Sequence, residues 1–245
     1  DGAGVEALGF KGVWHELRGG RAVLRDISLS IAAGERVALM GRNGAGKSTL
    51  LRHAKGLLDP TRGKIRTGGH VALLLQHPGD LLFAERVADE LPLKALVAAD
   101  LADLADRHPR DLSGGERQRL ALAVATHGSE PKVVCLDEPT RGMDRARKAE
   151  LATEIGRLAA GGAAVLVATH DPEFAVAFAD RVILMGDGTI LADGPPAEIL
   201  SGGWYFATEV ARILRGAGCA LTAEQGAQLL RAQIKGSDPL RLVAQ

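Results

Sequence analysis

The chain has 245 residues, 46% of them hydrophobic, with 30 Lys+Arg balanced by 30 Asp+Glu for a formal net charge of zero. That is room for one large domain with a normal core, and the charge balance argues against a strongly basic nucleic-acid binder, so no nucleic-acid partner is expected. Two cysteines, Cys135 and Cys219, cannot build a disulfide framework, and no apolar run approaches the length of about eighteen residues that a membrane span needs.

In chain order, the start Asp1-Gly2-Ala3-Gly4 shows neither a signal-peptide pattern nor an initiator Met, and is read as cut from something longer. Residues 37–40, Val-Ala-Leu-Met, form a short apolar run ending at Gly41 and read as a buried strand. Residues 48–56 read as a helix stopped by Gly56, residues 64–69 as an outer strand and turn, and residues 71–75 as another buried strand. From 81 to 110 the composition shifts to Ala, Leu, Asp and Glu at helical spacing. The strand signal returns at 133–136, 164–167 and 182–185. Short apolar strands separated by helices imply an α/β fold with a largely parallel sheet covered on both faces. Residues 204–245 carry no strand signal and read as a helical appendage, which gives an expected division into 1–200 and 201–245.

The octet Gly41-Arg42-Asn43-Gly44-Ala45-Gly46-Lys47-Ser48, followed by Thr49, fits G-x-x-x-x-G-K-S/T between a strand and a helix. Glycines let the loop fold tightly enough for successive N–H groups to converge on phosphates, and the helix N-terminus adds partial positive charge. Lys47 is placed to neutralise β- and γ-phosphate oxygens, and Ser48 to offer its hydroxyl to Mg²⁺. Average residue frequencies give such a string by chance in about one protein per hundred of this length, and the strand–helix context lowers that further.

Residues 133–138, Val-Val-Cys-Leu-Asp-Glu, are four apolar residues followed by two carboxylates. A buried strand carrying Asp137 to its C-terminal end suits the Mg²⁺ shell, and Glu138 is placed to polarise an attacking water. Ser113-Gly114-Gly115 opens an apolar-periodic helix and reads as a second anion site, with a hydroxyl and N–H groups aimed outward.

The strings GRNGAGKST, LSGGERQ, VVCLDEP and VATHD, in that order, resemble the ATP-binding cassette (ABC) ATPases over residues 5–200. The resemblance implies a P-loop NTPase fold of that family, with a mainly parallel core, an antiparallel β subdomain and a helical subdomain. It also implies ATP and Mg²⁺ as cofactors. Two cassettes would pair head to tail, as a homo- or heterodimer, each nucleotide lying between one P-loop and the partner's signature. By the same resemblance Gln76 matches the glutamine that senses Mg²⁺ and γ-phosphate. His170 matches the switch histidine, and Asp144 sits where the D-loop aspartate belongs. The aromatic that stacks on adenine maps to Trp14, or, aligned on Gly19-Gly20, to Leu17.

Residues 76–83, Gln-His-Pro-Gly-Asp-Leu-Leu-Phe, with Val87 and Glu90 beyond, look like the matching stretch of energy-coupling factor importers of cobalt, nickel and vitamins. That implies a transmembrane coupling subunit and a substrate-binding membrane subunit as partners, at the cytoplasmic face of the membrane. Leu81, Leu82 and Phe83 would form an apolar docking patch, or else belong to the core of the helical region. The stretch from Gln76 to Ser113 is shorter than usual for the family, so the helical subdomain is expected to be reduced. Such importers often use two different ATPases, sometimes fused in tandem, and a second half of such a fusion fits the linker-like start. The competing reading is a soluble, non-transport ABC ATPase or the ATPase of another transporter class.

Overall fold

A computed structural model describes residues 4–128, 130–201 and 206–236. Strands β1 (Glu6–Glu16) and β2 (Ala22–Ala32) pair antiparallel across a tight turn in which Leu17 N–H donates to the Arg21 carbonyl at 2.9 Å. β3 (Arg36–Gly41), buried from Val37 onward, leads through a loop into α1 (Lys47–Lys55). β4 (Arg62–Thr67) returns to pair with β1, and β5 (Val71–Leu74) is buried along its length. Residues 78–111 contain only short helical pieces: α2 (Val87–Glu90), α3 (Leu93–Ala98) and three 3₁₀ turns.

Next come α4 (Gly114–Thr126), β6 (Val133–Asp137), α5 (Arg145–Ala160), β7 (Ala164–Thr169) and α6 (Pro172–Phe178). They are followed by β8 (Arg181–Gly186), β9 (Thr189–Gly194), α7 (Pro196–Ser201), α8 (Glu209–Ile213) and α9 (Ala223–Gly236).

Six strands form the central sheet in the order β5-β6-β7-β3-β8-β9, parallel except for the hairpin β8–β9. Its inner strands are continuous apolar runs because both faces are covered. On one face, α1 and the three-stranded antiparallel sheet β2-β1-β4 bury Leu8, Ile27, Leu39, Leu50, Leu166 and Ile183 together. On the other face, Met40, Val134, Val167, Ile155, Phe174 and Phe178 form the second cluster. Ala207, Ala211 and Leu221 join that second cluster, so the described part of the C-terminal segment packs on the helical face of the sheet. Residues 1–3, 129, 202–205 and 237–245, including Trp204 of the expected appendage, lie outside the described residues.

The Ala/Leu-rich stretch at 81–110 does not make a long helix. Pro92 caps α3, and Asp100, at φ 57°, follows its last turn in the left-handed conformation that ends helices. Val87, Leu91, Leu96, Leu101, Leu112 and Leu120 nevertheless bury a small separate core between these pieces and α4.

Two arginines tie strand starts together. Arg36 binds Asp180 through Nη2–Oδ1 at 2.5 Å and Nε–Oδ2 at 3.0 Å, joining β3 to the loop before β8. Arg181 reaches Asp193 on β9, Glu35 and the Ser30 carbonyl, linking the two sheets. Cys135 is buried in β6, where burial pushes its thiol up to about 12, and it is inert as a nucleophile.

Candidate functional site

The loop between β3 and α1 is shaped by glycines whose missing side chains are needed. Gly46 caps α1 with φ 102°, and a Cβ there would come within 2.8 Å of Leu24 Cδ2. A Cβ on Gly41 would run into the Met185 carbonyl. β2 and β8 therefore press directly on the loop and hold it in place. No side chain caps α1 and its first turn carries no acidic residue, so the N–H groups of that turn face the loop with their partial positive charge unopposed. Lys47 is only 6% exposed and folds back over the loop, donating through Nζ to the Gly41 carbonyl at 2.7 Å and approaching the Arg42 carbonyl at 3.4 Å.

The carboxylates arrive from the next strands of the sheet. β6 and β7 pair in parallel with Asp137 opposite Ala168, so Glu138 and His170, just beyond the strand ends, meet side by side. Glu138 adopts φ 48°, left-handed for a non-glycine residue, while its N–H donates to the Ala168 carbonyl at 2.8 Å. That strain is held by the surrounding structure and aims the side chain back toward the loop. Glu138 Oε2 lies 2.7 Å from His170 Nδ1, and Oε1 lies 3.6 Å from Lys47 Nζ.

Asp137 is buried, and burial pushes its carboxyl above the usual carboxylate range; the neighbouring Glu138 adds to this, while a hydrogen bond from Ser48 and the charges of Lys47 and Arg52 oppose it. Its Oδ1 has no hydrogen-bond partner among the described residues, and neither does Glu138 Oε1. Buried carboxylate oxygens left open in this way invite a cation.

These groups surround a cavity of about 600 Å³ that opens over the loop. Its wall carries Asn43, Gly44, Ala45, Gly46, Lys47, Ser48 and Thr49 together with Gln76, Asp137, Glu138 and His170. Gly41 supports the loop from beneath and is not on the wall.

Several residues proposed from the sequence are not brought here. Trp14 does not line the cavity. It pairs with Arg62 in the β1–β4 register, and the Arg62 guanidinium lies 5.7 Å from the centre of its ring. The reason is strand pairing: β1 is the middle strand of the outer sheet, and β2 lies between it and the loop. Leu17, in the turn after β1, is 48% exposed and also absent from the wall. From this part of the outer sheet it is Val23, near the start of β2, that lines the cavity.

Val23, Arg42 and Arg141 are wall residues that the sequence did not single out. Arg42 sits at a variable position inside the octet. The other two carry no local signal, because their placement depends on β2 and the post-β6 turn meeting the loop.

Ser113, Gly114 and Gly115 also lie outside this cavity. Ser113 caps α4 in a capping box: its Oγ accepts from Glu116 N–H at 3.4 Å while Glu116 Oε2 accepts from Ser113 N–H at 2.7 Å. That reciprocal bond also holds the Glu116 carboxyl below the usual range. Gly115 packs against Arg147. Asp144 caps α5, accepting from Arg147 N–H at 2.9 Å. Ser113, Gly114 and Asp144 are exposed and Gly115 is half-buried, and none of the four lines the cavity described above.

The apolar stretch after Gln76 divides. Leu81 and Leu82 pack partly against the second cluster, and Leu82 also against the small helical core, whereas Phe83 is 86% exposed. Glu90 accepts from Ala84 N–H at 2.7 Å and Val87 is buried, so the loop that presents Phe83 is fixed at its far end.

A family model for ABC transporters matches residues 24–141. The cobalt import ATP-binding protein CbiO of Rhodobacter capsulatus is 38% identical over 226 residues, covering 79% of this chain and 80% of that protein. The chain belongs to the ABC transporter ATP-binding family.

A putative ABC transporter ATP-binding protein of Streptomyces avermitilis is 43% identical to this cassette over 238 residues, 86% of the cassette but 41% of the relative. The cassette thus spans about two fifths of that relative's length. Among solved structures, cbiO1 from Clostridium perfringens, described as part of the ABC transporter complex cbiONQ, aligns with a TM-score of 0.72 at 27% identity, covering 80% of this chain and 90% of that one. The ABC-ATPase fold expected from the motifs is therefore the fold found. So is the likeness to the cobalt and energy-coupling factor ATPases. The family is one of ATPases, and the cassette carries the loop, lysine and paired carboxylates that hydrolysis of ATP requires.

Proposed function

We propose that this cassette hydrolyses ATP as the motor subunit of an importer of the energy-coupling factor type, working at the cytoplasmic face of the membrane. The observation that carries the ATPase reading is the meeting of Lys47, Glu138 and His170 over the α1 N-terminus. The N–H groups of the loop and first turn cradle the phosphates. Lys47, relinquishing the Gly41 and Arg42 carbonyls, neutralises β- and γ-phosphate oxygens. Glu138 orients the attacking water, and His170 holds the Glu138 carboxylate at the angle for that task.

The donor set also fits Mg²⁺. A buried carboxylate with an open oxygen (Asp137), a hydroxyl (Ser48) and an amide oxygen (Gln76) are all hard oxygen ligands. Bound there with the phosphates, Mg²⁺ would supply charge neutralisation of the triphosphate.

Ser113-Gly114-Gly115 and Asp144, each at a helix start and all but Gly115 exposed, favour a site completed by a second cassette, homologous or identical. ATP closes the pair and hydrolysis reopens it, moving the membrane subunits. The importer assignment rests on residues 76–83, with Phe83 presented to solvent, and on the likeness to a relative named as a cobalt import protein. The transported micronutrient, whether vitamin, cobalt or nickel, is selected by other subunits.

Affinity purification of the cassette from detergent-solubilised membranes of its source cell tests this reading. A co-purifying polytopic membrane subunit is expected. Recovery of the cassette with no membrane protein would move the assignment to a soluble ABC ATPase.

A further inference from the structure

We propose that Arg141 is a phosphate-binding residue of this site, directed at the terminal phosphate of the nucleotide; the inference rests on the nucleotide reading above. Arg141 belongs to none of the motif positions that define the cassette, yet it lines the same cavity as Lys47, Gln76, Glu138 and His170. It stands three residues after Glu138, in a turn where Arg141 N approaches the Glu138 carbonyl at 3.5 Å. Thr140 beside it is 6% exposed, and Met143 N–H donates to the Thr140 carbonyl at 3.1 Å, so the turn is anchored and its guanidinium has a fixed base.

The charge pattern indicates what the guanidinium is for. Arg36, Arg157 and Arg181 are each engaged with a carboxylate at 2.5 to 2.6 Å. Among the described residues nothing holds the Arg141 side chain by a hydrogen bond or an ion pair, although it faces a cavity built for an anion. Lys47 is the buried cation of that cavity, and its charge already lies 3.6 Å from Glu138. The terminal group of a triphosphate carries about two negative charges, more than either inner group, and Arg141 would share them with Lys47 and Mg²⁺.

A planar guanidinium offers two parallel donors to phosphate oxygens, which an ammonium cannot. The loop N–H groups and α1 serve the inner phosphates. Arg141 enters from the Glu138–His170 side, where the terminal phosphate and the attacking water belong. A residue in this position distinguishes ATP from ADP.

The test is a titration of the intact chain and its Arg141→Ala, Arg141→Lys and Lys47→Ala variants with a non-hydrolysable ATP analogue and with ADP, each with Mg²⁺. Melting temperatures are recorded beside it. Arg141→Ala is expected to weaken the ATP analogue about tenfold and ADP less than about twofold, with melting unchanged and Arg141→Lys recovering part of the loss. Equal weakening of both nucleotides, or no change in either, would overturn the assignment. Lys47→Ala separates the two levels of the reading. If it abolishes binding of both nucleotides while Arg141→Ala changes nothing, the site stands and Arg141 falls. If Lys47→Ala binds both normally, the nucleotide site itself is misplaced.

Discussion

His170 Nδ1 lies 2.7 Å from Glu138 Oε2, a contact between residues that follow the adjacent parallel strands β7 and β6. Lys47 approaches the other carboxylate oxygen at 3.6 Å, so Glu138 is held from two sides. His170→Ala removes one of them. If His170 orients Glu138 toward the water as proposed, turnover should fall at least about tenfold, with ATP affinity changed by less than about threefold. Steady-state kinetics with a separate binding titration checks this. A rise in KM at constant kcat would mean that His170 only binds substrate.

Glu138→Gln keeps the side-chain shape and its contact with His170 but loses the negative charge. ATP binding should persist while kcat drops by about a hundredfold or more. Dimer formation in ATP, followed by size-exclusion chromatography, should become more persistent. Near-wild-type turnover in this variant would remove Glu138 from the role of water activator.

Gly46→Ala places a Cβ at φ 102°, within 2.8 Å of Leu24 Cδ2 and 3.0 Å of the Val23 carbonyl. The backbone must shift or the contact must open, costing about 1–3 kcal/mol. Urea unfolding should show that loss, and nucleotide binding should weaken with it, since the same backbone shapes the cradle. Stability equal to wild type would contradict the close packing of β2 on the loop.

Arg36 holds the Asp180 carboxyl below the usual carboxylate range through its side-chain hydrogen bonds, with its backbone N–H and charge adding to the effect. A folded-state pKa below the unfolded one means the pair stabilises the protein fully above about pH 4 and loses that contribution as pH falls through the folded value. Both side chains are partly exposed, so screening limits the gain to about 0.5–1 kcal/mol. Asp180→Asn should therefore be less stable than wild type by that amount at pH 7. The gap should close in acid and narrow in high salt, as read by thermal melts across pH.

Phe83, 86% exposed beside the partly packed Leu81 and Leu82, is the residue to change without touching the chemistry. Phe83→Ser should leave the ATPase activity of the isolated cassette within about twofold of wild type. It should release the membrane partner in the purification described above, because an exposed aromatic of this size is typical of an interface anchor. Undiminished recovery of that partner would place the contact elsewhere.

Much of this architecture is written locally. Residues 37–40, 133–136, 164–167 and 182–185 are continuous apolar runs because both faces of their sheet are covered, and each became a strand of the central sheet. The octet 41–48 declares its turn through its glycines, of which Gly41 and Gly46 have no room for a side chain. The helical stretch at 81–110 was less legible. Its composition favours helix, but Pro92 and the left-handed Asp100 break it into short pieces whose leucines find a core only against α4. Strands β1 and β2 were not read from the sequence, and their pairing carries register shifts, as between Phe10 and Val13, that only the structure shows.

By itself the sequence carried the motifs on which the proposed chemistry rests: the octet Gly41–Ser48, two carboxylates at the end of an apolar strand, and Ser113 at the start of a helix. Each is a short-range pattern, specified by neighbours within one or two turns of chain. Tertiary structure decided which of these ends converge. The pairing of β6 with β7 put Glu138 against His170, and the placement of β2 over the loop brought Val23 to the wall and left Trp14 under Arg62. The fold of the post-β6 turn added Arg141. Strand order and register are set by long-range packing of both sheet faces, which no window of sequence contains.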